Sequence, residues 1–354
     1  MIIGGFGFFF LVINPGSVTT EIGYFENSRE IWRKEIDHTQ KPLSSNLSEQ
    51  EESRFNIIKP LISSIEKIDA VVGRGGPLKP LEGGVYKISE TMLDDYRSCK
   101  YSNHASNLGA ILAHRFAIEK NLPSFIVDPV TTDEMVDKAR VSGVPGIERK
   151  SRSHALNIKH CVRKSVKKLQ VDLAKSRFVV AHLGSGISVA SVVGGKILDV
   201  NDALFGMGPF SIERAGAMPI SGLMELVFDK QLSRQEIADL LSHKSGFMGY
   251  LNTKDLREVE DQLPNDEETR LIYKAMIYQI AKEIGSQYTA LQGDVDALIL
   301  TGALVKSEQF KDNLLQYLKF IEKYFVFPGS FELEALARGA MRVLSETETA
   351  KDYV

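Results

Sequence analysis

The chain has only two cysteines among its 354 residues, and its seven histidines show no metal-type Cys/His spacing. A disulfide framework and a zinc site are therefore excluded, and Cys99 and Cys161 read as reduced thiols of a cytoplasmic protein. No sign of charge dominates: 43 Lys and Arg stand against 46 Asp and Glu, a formal net charge of −3. That balance suggests neither a nucleic-acid partner nor an acidic tail. The one apolar run, MIIGGFGFFFLVI at residues 1–13, lacks the basic flank of a signal peptide and is too short to span a bilayer. Its second half predicts a buried first strand running into Asn14, with residues 1–7 as a frayed extension. No low-complexity linker divides the chain, and no membrane partner is expected.

Known phosphate loops are also missing. There is no G-x-x-x-x-G-K-[ST], because Gly194-Gly195-Lys196 is followed by Ile197. Gly184-Ser185-Gly186 precedes alternating strand residues, so it is not a dinucleotide fingerprint opening a helix. What the chain does have is one design used twice. Residues 11–26 and 178–199 each read as a strand, a small polar glycine turn and a second strand. Such a turn offers backbone N–H and hydroxyl groups to an anion. Either copy alone reads equally as a plain turn; two copies, one per half, favour a phosphate clamp.

Between and after the hairpins, strands alternate with helices. Helices are predicted over 51–66, 104–119, 153–168, 223–241, 268–291 and 332–344, and short strands over 70–72, 124–127, 297–300 and 324–327. The pattern is α/β in two domains. The basic face of the 153–168 helix reads as a solvated surface rather than a polyanion patch.

Several stretches carry a resemblance: INPGS (13–17), VGRGGPLKPLEGGVY (72–86), HASNLGAILAHRF (104–116), VDPVTTDEM (127–135), RVSGVPGIERKSRSHALN (140–157), VVAHLGSGIS (179–188), GPFSIERAGAMP (208–219) and FPGS (327–330). Together they resemble the acetate and butyrate kinases, most closely the butyrate branch, within the sugar kinase, heat-shock ATPase and actin superfamily. The resemblance implies two duplicated actin-like ATPase (ribonuclease H-like) domains around a central cleft. It divides the chain into 1–132 with 337–354 on the acyl-substrate side, and 133–336 as the nucleotide-binding domain.

It also implies a reaction, ATP + butanoate = ADP + butanoyl phosphate, by direct in-line transfer, reversible as in fermentation. Phosphoryl transfer asks mainly for positioning and electrostatic stabilisation. Arg74 and Arg214 match the family's catalytic arginines, whose planar forks suit carboxylate and phosphoryl oxygens. Asp128 matches an essential carboxylate. Asp128 and Glu332, with Glu334 as an alternative for the latter, would hold Mg²⁺. His154 and Lys150 stand where acetate kinases carry two histidines. Asn14, Ser17, Thr19, His182, Gly184, Ser185 and Gly186 would hold phosphates, with Gly302 and Ala303 at the adenosine loop.

Gly75, Gly76, His104, Pro209 and Phe210 would form the acyl pocket. Gly76 replaces a valine of acetate kinases, which predicts room for a longer chain; each extra buried methylene is worth about 0.8 kcal/mol. The partners implied are ATP or ADP, a short-chain acid or its acyl phosphate, and a second copy of the chain in a homo-oligomer. Five positions depart from the family pattern: Glu21 for a lysine, Ser185, Phe205, Met207 and Ala303. They keep open a nucleotide-binding paralogue without turnover; an acetate- or isobutyrate-preferring enzyme is a separate alternative.

Overall fold

The computed structural model describes residues 7–39, 44 and 46–354. The chain forms two compact units, Met1–Thr132 with Phe331–Val354, and Asp133–Ser330. The return to the first unit thus falls at Phe331, ahead of the whole closing helix, rather than at 337. Of the expected frayed extension, residues 1–6 lie outside the described residues.

The first unit contains β1 (Phe9–Pro15), β2 (Thr19–Glu26), β3 (Arg29–Asp37), α1 (Leu47–Ile62), β4 (Ala70–Arg74), β5 (Val85–Lys87), α2 (Glu90–Arg97), α3 (Asn107–Lys120) and β6 (Ser124–Val127). Its sheet runs β3-β2-β1-β4-β6-β5. The β1–β2–β3 meander is antiparallel, whereas β1, β4 and β6 are parallel. Successive side chains along a strand alternate between faces. Leu11, Ile13 and Ile22 pack with Phe55 of α1 and with Leu108 and Ile111 of α3. On the other face a Cβ at Gly23 would meet Leu333, at the start of the closing helix.

The second unit begins with α4 (Asp137–Arg140) and α5 (Ala155–Leu169), followed by the strands β7 (Arg177–Leu183), β8 (Ile187–Val193) and β9 (Lys196–Val200). Then come α6 (Ile220–Met224), a π-turn at Glu225–Asp229, α7 (Arg234–His243), α8 (Gly246–Leu251), α9 (Leu256–Gln262) and α10 (Glu267–Ala290). β10 (Ala297–Gly302), α11 (Glu308–Tyr317) and β11 (Tyr324–Pro328) complete it. The closing helix, α12 (Glu332–Leu344), belongs to the first unit.

The second sheet runs β11-β10-β7-β8-β9. Again an antiparallel meander, β7–β8–β9, continues into parallel strands, here β10 and β11. Read from the third strand of each meander, both sheets have the order 3-2-1-4-5, so the fold is a duplicated α/β unit as expected. A β5 edge strand is added in the first unit. The β8–β9 connection is a two-residue turn, Gly194-Gly195, with φ of 59° and 76°, the positive values a primed hairpin turn demands.

Helix α1 starts at Leu47, four residues before the predicted start, and ends just beyond Pro60. Helix α3 starts at Asn107 because residues 104–106 form a turn, in which Ser106 donates its N–H to His104 Nδ1. The helix read over 223–241 is broken by the π-turn and is shorter and more exposed than a core helix. Among the described residues no helix is long and apolar enough to cross a membrane.

Candidate functional site

The first glycine turn lies between β1 and β2, where Gly16 donates to the Thr19 carbonyl at 2.8 Å. Strand parity sorts its neighbours. Asn14 pairs with Glu21 in register, and both share the face that meets α12. Asn14 Nδ2 donates to Glu21 Oε2 at 2.9 Å and to Glu332 Oε2 at 2.8 Å. Arg74, at the end of β4 and only 8% exposed, pairs with Glu332 Oε1 at 2.6 Å. These four residues, with Gly16, Thr19, Glu35, His104 and Ser106, wall a cavity of about 430 Å³ in the first unit. That volume suits a small molecule.

Glu21 therefore turns inward. Its partners are Asn14 and, at 3.7 Å, Arg33. Of Glu332 and Glu334, Glu332 is on the cavity wall, while Glu334 pairs along its own helix with Arg338 at 2.8 Å. Ser17 is exposed at the tip of the turn.

Asp128 caps no helix. It sits just past β6 with φ of +39°, 1% exposed, and accepts from the Gly84 N–H at 2.8 Å. A positive φ is uncommon for a residue other than glycine, though aspartate tolerates it better than most, and such positions cluster at functional sites. Asp128 is not among the residues lining the cavity, whereas Glu332 is. Among the described residues no group of three or more His, Cys, Asp and Glu is gathered as for a metal. Mg²⁺, however, takes only one or two carboxylates beside phosphate oxygens and water.

Two expected pocket residues prove to be packing residues. A Cβ on Gly76 would lie 2.3 Å from Asn107 Oδ1 and 2.7 Å from its backbone N. A Cβ on Gly75 would lie 2.8 Å from Pro129 Cβ. The space next to Gly76 is occupied by the start of α3, so a valine there would clash with Asn107. Phe210 is likewise a core residue of the second unit, set edge-on against Phe247.

In the second unit the turn between β7 and β8 gathers most of its expected partners. The imidazoles of His154 and His182 stack with centroids 3.9 Å apart and planes 11° from parallel. His154 Nδ1 lies 2.9 Å from Ser188 Oγ. Asn157 Nδ2 lies 2.8 Å from His182 Nδ1, a contact that leaves Nε2 to face the turn. A Cβ on Gly184 would sit 3.3 Å from that Nε2. A Cβ on Gly186 would sit 2.2 Å from Arg214 Nη1 and 3.3 Å from His154 Cε1. Gly186 thus lets the guanidinium and the imidazole reach the turn.

Arg214 Nη1 donates to the Ala203 carbonyl at 2.7 Å, and burial pulls its pKa down, opposed by Glu213 and Asp202. With Pro209, Asp202 and Ser211 it lines a small recess. Ser211 Oγ donates to the Ser185 carbonyl at 2.5 Å and so fixes the turn, while Ser185 itself is exposed. Phe205 and Met207 are exposed at 44% and 64%, and Lys150 is exposed in the segment before α5.

Gly302, at the end of β10, has φ of +102° and would place a Cβ 2.2 Å from the Leu183 carbonyl, so only glycine fits. Its N–H and C=O pair with Gly329 at 3.0 and 2.8 Å. Ala303 is helical and exposed, so its Cβ is not forced into the strand ends.

Two residues near the first turn carried no signal in the sequence. Arg54 of α1 is fully buried and reaches the turn from the α1 side, and His38, 5% exposed, lies 2.8 Å from Thr20 Oγ1. An arginine in an amphipathic helix normally reads as a solvated residue, which is why only the tertiary structure reveals it.

The acetokinase family profile matches residues 144–325. A protein from Listeria monocytogenes named "Probable butyrate kinase" is 43% identical over 350 residues, 97% of this chain and 99% of the relative. A protein of the same name from Clostridium botulinum is 43% identical over the same shares. Among solved structures, the acetate kinase of Porphyromonas gingivalis superposes with a TM-score of 0.77 at 20% identity, over 95% of this chain and 100% of that one. A propionate kinase from Francisella tularensis gives 0.74 at 20%, over 94% and 98%. The structural likeness carries the fold, and the near-full-length identity carries the family: this chain is a member of the acetokinase family.

Proposed function

We propose that the protein is a kinase for short-chain carboxylates, phosphorylating butanoate with ATP and running in reverse to make ATP from the acyl phosphate. The observation that carries this reading is Arg74. It stands on the wall of the first-unit cavity and already holds a carboxylate, that of Glu332, at 2.6 Å. A substrate carboxylate would take a place on the same guanidinium.

The rest of the reading is electrostatic. The acid's oxygen forms a bond to the γ-phosphorus as the bond to the β-bridging oxygen breaks, and ADP leaves with that electron pair. Charge on the transferring group is met by guanidinium and imidazole donors, with Arg214, His154 and His182 in the second unit supplying them. The Gly184–Gly186 turn is assigned to phosphates, and Gly302 with Ala303 to the adenosine. Mg²⁺, arriving with the nucleotide, would neutralise phosphate charge; Glu332 is the carboxylate that fits it, and Asp128 serves better as a positioning group through Gly84. The reading includes a cytoplasmic location and a homo-oligomer, the latter tested by light scattering.

Incubation with ATP, Mg²⁺, butanoate and hydroxylamine tests the proposal, because an acyl phosphate is trapped as a hydroxamate. Acetate and isobutyrate run in parallel rank the acids. A second reading, a nucleotide-binding paralogue without turnover, is favoured by one observation, the Glu21 carboxylate on the cavity wall. ATP binding with no hydroxamate from any acid would select it.

A further inference from the structure

Arg54 is a buried cation that the proposed reaction leaves unused. It is 0% exposed, on the α1 side of the first sheet, opposite the face that carries Asn14, Glu21 and Glu332. Its Nη2 donates to the Gly16 carbonyl at 2.7 Å and to Gln50 Oε1 at 3.2 Å. Its Nη1 donates to the Thr19 carbonyl at 2.9 Å and to Thr20 Oγ1. Every acceptor is neutral, and among the described residues no carboxylate pairs with it. A buried arginine normally sits against an anion, since burying a lone charge is costly. Burial draws its pKa down only to about 10, so it remains charged at neutral pH, and His38 beside it is pushed toward the neutral form.

The geometry explains what such a charge does. The peptide unit is planar and trans, so a carbonyl and the following N–H point in opposite directions. By holding the Gly16 carbonyl, Arg54 turns the Ser17 N–H away from itself. By holding Gly16 and Thr19 together, it spans both ends of the turn that lines the cavity.

We infer that Arg54 is a positioning residue that shapes the turn at residues 16–19 from beneath and supplies the positive charge for a phosphate group bound on its outer side. The inference rests on the kinase reading together with the expectation that Asn14, Ser17 and Thr19 of this turn hold nucleotide phosphates. It offsets the acidic wall made by Glu21 and Glu35, and it places a cation beneath the turn although position 21 carries glutamate where the family pattern has lysine.

The test compares Arg54→Lys and Arg54→Met with the wild-type protein. Measured are the KM for ATP, the KM for butanoate, kcat, Mg-ATP binding by calorimetry and the unfolding midpoint. The expected result is a KM and Kd for ATP raised about tenfold or more in Arg54→Met and less in Arg54→Lys, with the KM for butanoate within twofold of wild type. A merely structural arginine would lower the midpoint and leave the ATP constants within twofold in both variants, and that result overturns the inference. So does failure of both variants to fold, which would make Arg54 a residue of the fold alone. If the wild-type protein makes no hydroxamate, the kinase reading fails separately, and calorimetry with Mg-ATP still decides: equal affinity in wild type and Arg54→Met overturns the positioning role, and weaker affinity in the variant upholds it.

Discussion

At residues 16–19 the chain turns between carboxylates on one side and a buried guanidinium beneath, whereas at residues 184–186 it turns beside Arg214 and two stacked imidazoles. Both turns follow the first strand of an antiparallel meander that continues into parallel strands. The second turn has the Arg214 guanidinium and the His154 imidazole against Gly186. The first turn has Arg54 on its far face, and on its cavity side Arg74 is already paired with Glu332, with Glu21 beside them. The same backbone device therefore tolerates different arrangements of charge, and the lesson is that a glycine hairpin fixes where an anion can lie but not what neutralises it.

The largest effect is expected from Gly186→Ala. Its new Cβ would meet Arg214 Nη1 at 2.2 Å, and if Arg214 is the proposed donor, displacing it by about an ångström costs on the order of 10²-fold. The kcat for hydroxamate formation should fall accordingly, while Gly184→Ala, with 3.3 Å to His182 Nε2, should cost far less. Equal losses in the two variants would break the assignment of Arg214 to this turn.

Next comes Glu21→Lys, which makes the first turn resemble the second. If the phosphates lie on this wall, the KM for ATP should fall about tenfold, roughly 1.4 kcal/mol. A KM unchanged within twofold would place the nucleotide away from Glu21 and sharpen the contrast between the turns.

Gly76→Val probes packing instead of charge. With Asn107 already occupying the space, the substitution should destabilise the protein by about 1–3 kcal/mol in denaturant unfolding. The ratio of butanoate to acetate activity should stay within about twofold; a clear swing toward acetate would restore Gly76 to the acyl pocket.

The smallest effect concerns His38, whose pKa is held below the ordinary imidazole value of 6.5, first by burial and then by Arg54. The unfolded chain takes the proton first, so stability is lost as pH falls through about 6.5. His38→Gln should flatten that slope, a difference of about 2 °C or less in midpoint between pH 7 and pH 5. Parallel slopes in the two proteins would show that His38 does not titrate against Arg54.

Much of this molecule was legible before any coordinate. Apolar alternation and glycine turns placed both hairpins, and the 3.6-residue period placed α12 at residues 332–344 as observed. Less legible were β3, the third strand of the first meander, whose residues are almost all exposed, and α2, a helix of eight residues. Short or solvent-facing elements lack the burial pattern on which periodicity depends.

The sequence by itself determined the α/β class, the twin turns and the residue types that answer to anions, because local backbone preference and periodicity are properties of neighbours in the chain. Tertiary structure decided the rest. It sent Glu21 and Asn14 to the α12 face and Thr20 to the α1 face, since a strand's two faces acquire meaning only from what packs on them. It filled the space at Gly76 with Asn107 and drew Arg54 beneath a turn thirty-five residues earlier. Such contacts join residues distant in sequence, and no local pattern records them.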